Sequence, residues 1–145
     1  MHGFWKSWMT AWCYAMLALG VSLAGMAFPQ SDGVGRAFYA LVDGGVLAED
    51  AFDAPGMRFS IALLGAVTIG WGLTTLGAVR TSQPGGAMWR WLTGAIVTWY
   101  AIDSALSVAT GFPLNALSNT VFVATYLAPV IGSGVLGASH RPVPA

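Results

Sequence analysis

Asp103 lies in the run Trp99-Tyr100-Ala101-Ile102-Asp103-Ser104-Ala105-Leu106-Ser107 and is the only charged side chain set well inside any long apolar stretch of this chain. An ionised carboxylate in hydrocarbon is costly unless it is paired, solvated or protonated, so an acid at that depth needs partners or a task. Ser107 stands one helical turn from Asp103, and Asn115 and Asn119 stand one turn apart in the following stretch, so each segment carries a polar stripe. At helical rise Asp103 falls roughly 10 Å below the end of its segment, and Asn115 and Asn119 about 2 and 8 Å below the same face. Arg58 opens another apolar stretch at that face. The expected site is therefore a polar intramembrane cluster of Asp103, Arg58, Ser107, Asn115 and Asn119. It reads either as a pocket that binds a small polar group or carries a proton on Asp103, or as a satisfied buried network that fixes helix packing.

The elements that must position these residues follow from composition. Of 145 residues 56% are hydrophobic and 8% charged, and the charges fall almost entirely between apolar runs, a distribution no soluble domain of this length would adopt. The runs lie at about 8–28, 57–79, 88–110 and 114–136, each long enough to cross a hydrocarbon core of about 30 Å. The expected fold is all-α: one integral membrane domain, a bundle of four transmembrane helices. The first run is longer than an ordinary signal core and is read as a retained spanning helix.

Lys6, Arg80, Arg90 and Arg141 cluster at the N-terminus, the second connection and the C-terminus, whereas the first connection holds Asp32, Asp43, Glu49, Asp50 and Asp53 against Arg36. The positive-inside rule puts both termini, with His2 and His140, in the cytoplasm, and the expected location is a multi-pass protein of the inner membrane. The long connection at 29–57 is then external. Within it Ser31 or Asp32 can cap a short amphipathic helix bearing Val34, Ala37, Phe38 and Leu41, and Gly44-Gly45 can end it. Leu47, Ala51 and Phe52 continue the cover. This segment is a lid over an external pocket or a connector that caps the bundle.

Small residues recur at helical spacing. Ala62, Ala66 and Gly70, then Ala101, Ala105 and Ala109, and more briefly Gly20 and Ala24, form stripes that let backbones approach, read as the fold's own seams with one left to face another subunit. Trp5, Trp8, Trp12, Trp89 and Trp91 fall at the cytoplasmic ends of their helices as interfacial anchors. Trp71 and Trp99 sit near mid-helix, where an indole packs in the core or contacts a ligand or cofactor.

Catalysis finds little support. No histidine stands in a span to ligate haem or zinc, Cys13 is the single cysteine, no second intramembrane carboxylate pairs with Asp103, and no glycine-rich phosphate loop follows a strand. A net charge of zero without a basic tract argues against nucleic acid. No catalytic residue, metal ligand or identifiable cofactor emerges; a lipid, a quinone or a carotenoid remains open as ligand.

The segments Met57-Arg58-Phe59, Gly65-Ala66 and Gly70-Trp71-Gly72, with Trp99-Tyr100, Asp103-Ser104, Gly111, Leu114-Asn115 and Asn119-Thr120, resemble a family of small uncharacterised bacterial four-helix integral membrane proteins and, at one remove, the DoxX-like membrane proteins. The resemblance covers the second to fourth helices, about half the chain. It implies the four-helix fold and singles out Arg58, Asp103 and Asn119, but transfers no reaction. The expected function is a non-catalytic small membrane protein, an accessory subunit of a larger membrane complex or a binder of lipid, isoprenoid or pigment. A small proton-coupled transporter, dimeric and working through Asp103, is the alternative. The expected partners are the lipid bilayer and other membrane subunits or a second copy of the chain, not nucleic acid.

Overall fold

In the computed structural model, residue 1 and residues 3–137 are described, without the side chain of Glu49. His2, His140 and Arg141, assigned above to the cytoplasmic tails, lie outside them. The order is α1 (Gly3–Gly25), α2 (Gly33–Val42), a 3-10 turn (Glu49–Asp53), α3 (Pro55–Thr81), α4 (Ala87–Ala109) and α5 (Pro113–Gly132). Four of these helices, α1, α3, α4 and α5, are long and apolar enough to cross a membrane, and α2 is a shorter apolar helix after the first. The chain is a membrane-protein helix bundle of the class the composition implies.

Helix ends follow local chemistry. Pro55 and Pro113 start α3 and α5, where a missing N–H costs nothing. The fifth helix stops at Gly132, four residues before the apolar run ends, because Gly134 turns the chain with φ +63° and carries Val135 back, where its carbonyl accepts the Gly85 N–H at 2.7 Å. Pro129 inside α5 cannot donate to the carbonyl of Thr125; the indole of Trp8 donates to that freed oxygen at 2.9 Å. Sequence and tertiary contact agree at this point, since the helix can carry the proline because α1 supplies the lost donor.

Three of the four pairs of neighbouring spanning helices are closely joined. On α1 and α3, Gly20, Gly65 and Gly72 are buried, and a Cβ added at Gly65 would strike the backbone of Gly20 and Ala24. Only glycine permits that approach. Helices α4 and α5 are joined by polar rungs, Thr93 to Tyr126 at 3.1 Å and Tyr100 to Thr120 at 3.0 Å, and by the Asp103 network. Helices α1 and α5 meet through Trp8 and through Trp12, whose ring lies 4.6 Å from Phe122. The fourth pair, α3 with α4, meets at the Trp71–Trp99 edge contact of 5.4 Å and parts on the side of the cavity described below.

The seams differ from the small-residue expectation. Ala66 and Gly70 are exposed, a Cβ at Gly70 meets nothing, and Ala101, Ala105 and Ala109 are exposed on α4. Spacing of four identifies a smooth row but not its neighbour; the seam is a different face of α3, through Gly65 and Gly72, seven residues apart with Ile69 between them. The tryptophans also sort differently: Trp8 and Trp91 are exposed and Trp5 half-buried, but Trp12 and Trp89 are core residues, packed with Met9, Cys13 and Tyr126. Met1 and Val135 belong to the same cluster and extend the core to the terminal end.

Candidate functional site

Helix α4 runs toward the end of the bundle covered by α2, and α5 leaves from it, so Asp103 and Ser107 on one helix face Asn115 and Asn119 on the other across the Gly111 turn. Asp103 Oδ1 accepts from Asn115 Nδ2 and Asn119 Nδ2, both at 3.0 Å, and from Ser107 Oγ at 3.1 Å. The Ser107 hydroxyl also donates to the Asp103 backbone carbonyl at 2.7 Å and accepts from Asn115 Nδ2 at 2.8 Å. Amide and hydroxyl donors thus solvate one carboxylate oxygen in place of water. No hydrogen bond or ion pair reaches Oδ2 among the described residues.

Arg58 stands apart from this network. Its Nη1 donates to the Met26 carbonyl at 3.1 Å and to Asp32 Oδ2 at 3.0 Å, and its Nη2 to Asp53 Oδ1 at 2.6 Å. The five-residue cluster therefore resolves into two sites. The physical reason is competition: at the first turn of α3 the guanidinium meets two carboxylates from the connection, and a charged fork in this position is better paired with them than with an acid already bonded to amides. Arg36 joins the same group, donating from Nε to Asp32 at 2.9 Å and from Nη2 to Asp53 at 2.6 Å. The Arg36 guanidinium, aided by Arg58, holds the Asp32 carboxyl below the usual carboxylate range against the opposing effect of burial, and Asp53 is lowered by the same two cations. Asp32 precedes α2 without a side-chain capping bond, because its carboxylate is spent on the arginines. These ion pairs bind α2, the 3-10 turn and α3 into one cap.

Under that cap lies a cavity of about 780 Å³. Leu19 and Leu23 of α1 form its back, Phe38, Tyr39 and Val42 of α2 its roof, Trp71 and Trp99 line it near mid-helix, and Asp103, Ser107, Asn115 and Asn119 supply a polar end. Leu64 and Val67 on α3 and Ile102 and Leu106 on α4 line it and are exposed, so it opens sideways where those helices part. Both mid-helix tryptophans are thus cavity residues, and neither indole N–H has an acceptor among the described residues. The roof uses Phe38 as expected, but Val34 and Leu41 point outward and are exposed. Tyr39, half-buried, lies near enough to Asp103 that burial first and the carboxylate second push its phenol above the ordinary value.

Sequence reasoning missed Asp32 and Asp53 as partners of Arg58, Arg36 as the cation that shares them, and Tyr39, Val42 and Asp43 as cavity residues. The signal available for the first group was the coincidence of acids and arginines in one short connection; for the second, only the turn at Gly44-Gly45 that aims the helix end inward. Models of protein families, curated proteins and solved structures yield no match to this chain.

Proposed function

We propose that this chain is a non-catalytic integral membrane protein that holds an amphiphile, a lipid or an isoprenoid compound, between α3 and α4. The observation that carries the reading is the sideways opening of the cavity: its mouth is made of leucine, valine and isoleucine at bilayer depth and its inner end of Asp103, Asn115 and Asn119. A ligand entering from the hydrocarbon keeps its tail in an apolar setting throughout and gains hydrogen bonds at one end. A volume of this size suits one tail and a compact head group. The charge asymmetry supports an orientation with both termini cytoplasmic in an inner membrane, which puts the polar end in the outer leaflet. The exposed alanine row of α4 supports a role beside another membrane subunit.

Native mass spectrometry of the protein released from its own membranes tests the reading. The expected result is one retained small amphiphile per chain, lost in Val67→Trp, where an indole at the mouth fills the groove. Retention by that variant equal to wild type would place the ligand elsewhere and end the proposal. The proton-coupled transporter remains as second reading because Asp103 Oδ2 is unpartnered among the described residues; proton flux in vesicles that Asp103→Asn abolishes would favour it.

A further inference from the structure

Among the described residues two carboxylates line the cavity, and each leaves an oxygen unused. Asp103 spends Oδ1 on Ser107, Asn115 and Asn119. Asp43, only 8% exposed, accepts the Gly45 N–H on Oδ1 at 2.9 Å as α2 turns into the connection. For both, Oδ2 has neither a hydrogen bond nor an ion pair among the described residues, and both residues line the same space. Asp43 also borders a smaller cavity lined by Arg36, yet no ion pair joins the two. Among the described residues no lysine, arginine or histidine lines the larger cavity; Arg36 and Arg58 are held on Asp32 and Asp53. Two acids that line one space with no cation beside them favour a cationic occupant over an anionic one.

The aromatic lining points the same way. Tyr39 borders this space near Asp103, where an aromatic ring can attract a cation that has left water, and Trp71 and Trp99 border its apolar part. Carboxylate oxygens at the polar end are poorly suited to a phosphate head, which they would repel. We infer that the occupant is a cationic amphiphile: a single ammonium head held between Asp43 and Asp103, with an apolar tail running past Trp71 and Trp99 to the mouth between α3 and α4. This rests on the amphiphile-binding reading above and narrows it to one charge class.

The test uses the full chain in phosphatidylcholine nanodiscs, titrated with dodecyltrimethylammonium, dodecanol and dodecyl phosphate and followed by tryptophan fluorescence. The ammonium compound should bind at least about tenfold more tightly than the alcohol, and the phosphate should not saturate. Asp43→Asn and Asp103→Asn should each weaken the ammonium compound by about tenfold and leave dodecanol unchanged, because each keeps an acceptor but loses its charge. Melting temperature measured beside each titration guards against misfolding, and Asp43→Asn, lying outside the spans, serves alone if Asp103→Asn is unstable. Equal binding of all three compounds, tightest binding of the phosphate, or undiminished ammonium binding by a folded Asn variant would overturn the charge assignment while leaving amphiphile binding standing. Failure of all three to saturate would overturn both.

Discussion

Along α3, two neighbouring faces meet their partners in opposite ways. Toward α1, Gly65 and Gly72 leave nothing larger than hydrogen at the contact, and Ile69 lies against Gly20 between them. Toward α4, Leu64, Val67 and Thr68 face a gap, with the Trp71–Trp99 pair bridging it and the cavity occupying the rest. One helix is therefore fixed on one side and propped open on the other. Size explains the difference: close approach needs small residues in register on both helices, as Gly20 and Ala24 are with Gly65, whereas bulky residues opposite one another at Trp71 and Trp99 set a spacing that smaller neighbours above them cannot fill. A rigid pair behind the cavity keeps its back wall in place while the front stays accessible.

Gly65→Leu should break that contrast most severely. Its side chain would enter the backbone of α1, forcing the closed face to separate, and a cost of about 3 kcal/mol or failure to fold in detergent is expected. Thermal melts followed by circular dichroism measure it. A variant that melts with wild type would mean that the α1–α3 contact is looser than the glycine geometry requires.

Acid should loosen the cap that holds the open face at its upper end. The carboxyls of Asp32 and Asp53 lie below their ordinary range in the folded chain, so they stabilise it above the unfolded value, and that contribution disappears as pH falls through the folded values. Asp53 is largely exposed, so solvent and salt weaken its share. Between about pH 5 and pH 3 the melting temperature of wild type should therefore fall further than that of the Asp32→Asn, Asp53→Asn double variant. Parallel decline of the two proteins would show that these ion pairs contribute nothing to holding α2.

The polar end of the cavity was legible in the sequence for a physical reason. A helix fixes which residues share a face and how deep they lie, so Asp103 with Ser107, and Asn115 with Asn119, could be placed together from spacing and the direction of each span. The position of Arg58 was legible, but its partner was not, because its long side chain selects among acids in a connection that has no period. Rotation was the other gap. Periodicity shows that Ala62, Ala66 and Gly70 form a row, and equally that Gly65 and Gly72 do, but which row meets α1 depends on shape matching with a second helix. Trp12 and Trp89 were misplaced likewise: their depth suits an interfacial belt, but they sit in a core cluster built from several helices, with Phe122 and Tyr126 of α5 against Trp12.

Gly70→Leu carries the smallest expected effect and sharpens the comparison most. Gly70 lies five residues beyond Gly65 on the same helix, at about 140° around its axis, on a flank that neither α1 nor the cavity uses. A side chain there meets open space, so in a detergent-solubilised single chain the melting temperature should shift by no more than about 0.5 kcal/mol would produce. Replacing glycine within a helix could even offset part of any cost, since leucine loses less backbone entropy. The same helix would then tolerate leucine at one glycine and not at the other, which separates seam from surface without reference to helix propensity. A loss at Gly70 comparable to that at Gly65, accompanied by a fall in particle mass in light scattering, would show that the outward row seats a second subunit, and that the face left open by this chain is closed in its assembly.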